Sequence, residues 1–85
     1  KYIHMTLEMY FAVPKSYTKK RRNACLEGTE RPAKKPDADN IIKNVCDSLN
    51  EVAFNDDVQV IEIECKKFYT ESEEDYIKIK LKELN

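Results

Sequence analysis

Apolar and other residues alternate without a break from Ile3 to Val13. Ile3, Met5, Leu7, Met9, Phe11 and Val13 fall on one face, and His4, Thr6, Glu8, Tyr10 and Ala12 fall on the other. Side chains on an extended backbone point alternately to opposite faces, so this period of two predicts a half-buried strand. Pro14 ends it, because proline brings no N–H to a ladder. Ser16 can then accept hydrogen bonds from a first helical turn, and Gly28, the only glycine, can stop the helix. A short helix is expected from Ser16 to about Leu26. Residues 27–35 have no period and contain Pro32, which reads as a loop. Pro36 disfavours helix at Lys35. Helical spacing begins at Asp39 or Asn40, either of which can cap. Ile41, Ile42, Val45, Cys46 and Leu49 form one stripe, with Lys43, Asn44, Asp47 and Asn50 opposite.

Residues 51–57 read as a connector. From Val58 to about Phe68 the pattern is again strand-like, with Ile61, Ile63 and Cys65 set against Glu62, Glu64 and Lys66. The apolar set changes face between Val60 and Ile61, which predicts either a β-bulge or a stretch buried on both sides. The acidic run at 70–75 reads as a turn. Ile77, Ile79 and Leu81 alternate with Lys78, Lys80 and Lys82 in a last strand. So short a connection predicts that the last two strands pair as an antiparallel hairpin. The expected order is β-α-α-β-β: an α+β fold, a small two-layer domain with a mixed or antiparallel sheet and helices on one face.

A chain of 85 residues is expected to form a single domain. It buries only roughly 60% of its unfolded surface, so oligomerisation is a reasonable expectation. Hydrophobic residues at 41% against 36% charged suit a folded domain better than a disordered one. No apolar run is as long as a membrane span and no signal-peptide pattern is visible, so neither membrane insertion nor secretion is expected. Cys25, Cys46 and Cys65 are odd in number and about 20 residues apart. That gives neither a disulfide framework nor a zinc pattern. Reduced thiols in a cytoplasmic protein are expected, two or three of them in the core. His4 is the only histidine and faces away from the apolar side, so it reads as a surface residue and not a general base.

The net charge of −1 hides two opposed blocks. Residues 15–35 hold Lys15, Lys19, Lys20, Arg21, Arg22, Arg31, Lys34 and Lys35 against Glu27 and Glu30, a net +6, and the remainder carries −7. The basic block is either a solvated surface or a track for a polyanion such as nucleic acid. Beside it lie Asp37 and Asp39, then Lys43, then Asp56 and Asp57. Residues i and i+2 of an extended segment point the same way, so Asp37 and Asp39 can reach one ion, and Asp57 at a strand start can supply a third ligand. Mg²⁺ takes a few carboxylate oxygens and several waters, and can activate water against a phosphodiester. Lys43 lies four residues after Asp39 on the same side of the helix, where it can hold a phosphate oxygen. Taken alone these acids can equally be helix caps and turn residues. A calcium loop starting at Asp37 is disfavoured by Ile41, Ile42 and Ser48 at its key positions, and a Walker-type loop is excluded by the single glycine.

The run KPDADNIIKNVCDSLNEVAFNDDVQV resembles the RusA-type Holliday junction resolvases. Their signature is Lys-Pro-Asp-x-Asp-Asn, a lysine three residues later, an Asp-x-Leu-Asn segment and an Asp-Asp-x-Gln strand start. Asp37, Asp39, Asn40, Lys43, Asp47, Leu49, Asn50, Asp56, Asp57 and Gln59 match it, and VPKSYTKKRRNACLEG resembles the stretch upstream. The resemblance covers about residues 9–82. It implies a homodimeric endodeoxyribonuclease that binds branched DNA, a four-way junction, and nicks it in symmetric pairs with Mg²⁺ or Mn²⁺. Under it the catalytic residues are Asp37, Asp39, Asp57 and Lys43, and the metal ligands are Asp37, Asp39 and Asp57, with Asp56 assisting. Lys15, Lys19, Lys20, Arg21, Arg22, Lys34 and Lys35 are the expected nucleic-acid contacts. No membrane and no small-molecule cofactor are implied. Asn50-Glu51 departs from the family's Asn-Gly, so the connector after the helix is expected to differ. The family also has a strand ahead of the position of Lys1, so the chain is expected to lack an N-terminal strand. A non-catalytic junction-binding protein of the same fold is the alternative, and a small interaction module whose acids only cap is a third.

Overall fold

The computed structural model describes residues 2–34, 36–50 and 59–84. The elements are β1 (Tyr2–Ala12), α1 (Lys19–Glu27), α2 (Ala38–Leu49), β2 (Val60–Thr70) and β3 (Tyr76–Leu84), the order expected of this α+β fold. β1 lies in the middle of a three-stranded sheet of order β2-β1-β3. Its odd-numbered residues from Ile3 to Phe11 are buried and its even-numbered ones are not.

The predicted hairpin does not form, because β1 lies between β2 and β3. Along β1 and β2, His4 Nδ1 meets Glu62 Oε1 at 2.9 Å and the Tyr10 ring stacks on Phe68. Both pairs have the same sequence offset, so the two strands run parallel. Parallel pairing needs a long crossover, which the segment carrying α1 and α2 supplies. β3 starts beside the end of β1: Tyr76 stacks on Tyr10, and the Ala12 N–H donates to Asp75 Oδ1 at 2.8 Å. It therefore runs back antiparallel to β1, and the sheet is mixed. A connector of five residues reaches up to about 17 Å. Stepping over one strand needs only about 10 Å. A short turn therefore did not require its flanking strands to pair.

The chain divides into two compact units. The first comprises residues 1–7, 34–65 and 79–85, and the second comprises residues 8–33 and 66–78. In the first, Ile3, Met5 and Leu7 of β1 are buried, as are Ile41, Val45 and Cys46 of α2. α2 shares one cavity with Ile63 of β2 and another with Ile79 of β3, so it lies over the face that carries the buried residues of β1. A single helix about 10 Å across is narrower than three strands with their side chains. Ile61 is accordingly 53% exposed and Ile79 42% exposed. The expected burial of β2 on both sides is not found, and within this unit the expected cover by the 40–50 helix is complete only over Ile3, Met5 and Leu7 of β1. His4 lies on the opposite face, half-buried, with Nε2 3.7 Å from Glu64.

In the second unit Met9, Phe11, Val13 and Cys25 are buried. α1 is capped by Thr18, not Ser16: Thr18 Oγ1 accepts from the Arg21 N–H at 3.2 Å. Ser16 is spent in the turn that precedes it, closed by the Tyr17 N–H on the Pro14 carbonyl at 3.1 Å. Gly28 ends α1 at φ 86°, a left-handed conformation that costs a residue with a Cβ about 1 kcal/mol or more. The Thr29 and Glu30 N–H groups then close onto the Ala24 carbonyl. Cys25 is the only buried residue of α1. Burial pushes its thiol up from the ordinary value, as suits a core thiol and not a nucleophile. All three cysteines are free, with Cys25 and Cys46 buried and Cys65 half-buried.

Candidate functional site

α2 begins at Ala38 with Asp37 as its N-cap, one or two residues ahead of the expected start. The Asp37 backbone is extended at φ −69° and ψ 149°, and its carbonyl accepts from the Ile41 N–H at 3.1 Å. Its carboxylate makes no cap hydrogen bond. Asp39, in the first turn, accepts from the Asn40 N–H through Oδ1 at 3.0 Å. Of the two aspartates that could have been simple caps, one thus has a carboxylate not engaged in capping. Both sit at the positive end of the helix dipole, where anionic groups are favoured.

Asp39, Lys43 and Asp47 stand at successive turns of α2 and are exposed. Residues four apart stack above one another on a helix, so the three form a row with the cation between two carboxylates. The row lines a cavity of about 340 Å³ with Ile42, Cys46, Val60 and Ile63. Among the described residues no ion pair within 4 Å joins Lys43 to either carboxylate. Among the described residues the Lys43 ammonium is thus left to line the cavity without a direct ion pair. Asp37 is not part of the cavity wall. Asp56, Asp57 and Lys35 lie outside the described residues, and among the described residues no three His, Cys, Asp or Glu side chains are grouped closely enough to hold a metal ion. Asp47 was matched in the signature but given no role from sequence; its spacing of eight from Asp39 is the signal that places it on this wall.

The basic residues 15–34 are not equivalent. Lys15, Lys19, Lys20 and Lys34 are exposed. Arg21 is committed within its own unit: Nε and Nη2 donate to both oxygens of Glu30 at 3.0–3.2 Å, and its guanidinium lies 3.7 Å from the Tyr17 ring centre. That hydrogen bonding holds the Glu30 carboxyl below its ordinary range. Arg22 is half-buried and, with Lys15, Glu71 and Glu73, lines a cavity of about 330 Å³. Tyr17 packs edge-on against Tyr69, whose hydroxyl is pushed up to about 12, first by burial and then by its hydrogen bond with Tyr17. Arg21 thus ties the end of α1 to the segment that follows it, a role that its place in the basic block does not reveal.

The fold thus joins a mixed three-stranded sheet to a helix with an Asp-x-Asp start and a lysine one turn on. The chain matches the family Endodeoxyribonuclease RusA over residues 1–81, and it belongs to that family. It is also similar to the uncharacterized protein YqaN of Bacillus subtilis (strain 168), with 36% identity over 85 residues, covering 98% of this chain. The chain spans 58% of that relative's length. No solved structure matches it. Among the described residues no helix is long and apolar enough to cross a membrane.

Proposed function

We propose that this chain carries the active site of a metal-dependent endodeoxyribonuclease that resolves four-way DNA junctions by paired, symmetric phosphodiester cleavage. Membership of the RusA family supports the reaction class. The observation that carries the assignment of residues is the row on α2, with Asp39 and Lys43 on the wall of one cavity and Asp37 at the helix start with no cap bond from its carboxylate. Carboxylate oxygens are the donors that Mg²⁺ and Mn²⁺ prefer, and two of the three proposed ligands, Asp37 and Asp39, stand within one turn of each other. Asp57 is proposed as the third. When bound, the cation lowers the pKa of a water and offsets charge on the phosphate. Lys43 holds a non-bridging phosphate oxygen and stabilises the charge that builds there as the bond breaks. Exposed Lys15, Lys19, Lys20 and Lys34 take DNA phosphates, which makes binding strongly salt-dependent. Two copies related by a two-fold axis cut the two strands of a pseudo-symmetric junction.

The test is nicking of a synthetic four-way junction, with products mapped to the nucleotide. With Mg²⁺ the wild type gives symmetric paired nicks, and EDTA abolishes them. Lys43→Met binds the junction in EDTA but cuts it roughly 100-fold more slowly, the scale seen when one charge-stabilising donor is removed. Cutting by Lys43→Met at the wild-type rate contradicts the assignment. Tight binding by the wild type in EDTA without cutting on addition of metal favours the reading as a non-catalytic junction-binding protein.

A further inference from the structure

The sheet face that carries the even-numbered residues of β1 holds a column of aromatic rings that the proposed cleavage site does not use. The Tyr10 ring on β1 lies between Phe68 of β2 and Tyr76 of β3, with centroid separations of 5.3 and 4.7 Å and interplanar angles of 21° and 13°. One end of the column is closed: the Arg31 guanidinium lies 4.2 Å from the Phe68 ring centre, and its Nε donates to the Lys67 carbonyl. The other end is open. Tyr76 is 39% exposed, and among the described residues its only ring contact is Tyr10. Lys78, next on this face of β3, places its ammonium 5.4 Å from the Tyr10 ring centre. Two carboxylates beside the column are engaged: Glu8 accepts from the Tyr10 hydroxyl at 3.2 Å, and Asp75, next to Tyr76, accepts from the Ala12 N–H at 2.8 Å.

Packing of the fold does not call for an exposed ring at the end of the column. A strand edge facing water is ordinarily finished with a polar side chain. A flat ring with one free face, beside a lysine, is what a nucleobase and its phosphate require: the base extends the stack and the cation meets the backbone. We propose that this face is a second DNA-binding site, which takes single-stranded DNA by stacking an unpaired base on the outer face of Tyr76, with Lys78 meeting the adjoining phosphate. All the residues named belong to one compact unit, 8–33 with 66–78, and none belongs to the row on α2. The proposal does not depend on metal or on cleavage.

The experiment uses a short oligothymidylate in EDTA with the complete protein, so that failure of cleavage and failure of this site are separate results. There is no tryptophan, so binding is read directly in the five tyrosines, whose emission is expected to be quenched by the stacked base. Tyr76→Phe keeps wild-type affinity. Tyr76→Leu, which keeps an apolar side chain but no ring, binds at least about fivefold more weakly. To be independent of how the variants fold, an oligonucleotide carrying 5-iodouracil is photo-crosslinked to the unmodified protein and the adduct is mapped by mass spectrometry, with Tyr76 expected. Wild-type affinity in folded Tyr76→Leu overturns the proposal. So does crosslinking confined to residues off this face, or failure of the wild type to bind the oligonucleotide.

Discussion

Asp39→Asn is expected to lower the rate of junction cutting by more than about 100-fold while leaving junction binding in EDTA within a few-fold of wild type. The substitution keeps the size of the side chain and a carbonyl oxygen that can still accept from the Asn40 N–H, as Asp39 Oδ1 does at 3.0 Å. The start of α2 is therefore retained. What is lost is the negative charge at the head of the row that Asp39 forms with Lys43 and Asp47 along the cavity. Removing even a group that only supports a metal ligand typically lowers activity 10- to 100-fold, so removing a ligand itself is expected to do more. Single-turnover cleavage of a labelled junction separates this from weaker binding. Equal rates for the two proteins would remove Asp39 from the reaction.

The largest effect on stability is expected from Leu7→Ala. Leu7 sits on the central strand and is completely buried, as is Met5. Truncating a buried leucine destabilises by about 2–5 kcal/mol, because the lost transfer energy is compounded by the cavity that remains. At about 0.05–0.15 kcal/mol per residue, a domain of this size has only about 4–13 kcal/mol in total. Leu7→Ala should lower the urea midpoint by at least about 15%, and in the less stable part of that range it leaves the protein largely unfolded. Ile61→Ala is the internal comparison: Ile61 lies in the same unit but is 53% exposed, and its truncation should cost less than about 1 kcal/mol. Equal shifts for the two variants would mean that the helix-covered face of β1 is not the core.

Features with a short repeat were legible in the sequence. The period of two along β1 and the apolar stripe of α2 identify strand and helix because each repeat fits within a few residues, and the burial of Met5, Leu7, Ile41 and Val45 follows from them. The link between Asp39 and Lys43 was legible for the same reason. Strand order was not, because the turn at 71–75 is short whether β3 returns beside β2 or steps over the end of β1. The pairing of Arg21 with Glu30 was hidden as well, since nine residues separate them and only the left-handed Gly28 turns the chain back. The N-cap of α1 falls two residues beyond the expected one because Ser16 and Thr18 offer the same hydroxyl, and the Pro14–Tyr17 turn decides between them. The aromatic column depends on the parallel register of β1 and β2 together with the start of β3, neither of which a local pattern encodes.

In the proposed site Asp37, Asp39 and Asp57 hold one divalent cation between them. Calorimetric titration of Mn²⁺ into the protein without DNA tests it directly, with Asp37→Asn, Asp39→Asn and Asp57→Asn compared with wild type. Each single change is predicted to weaken Mn²⁺ binding by at least about tenfold. Wild-type affinity in Asp57→Asn, with binding lost in the other two, would contradict it.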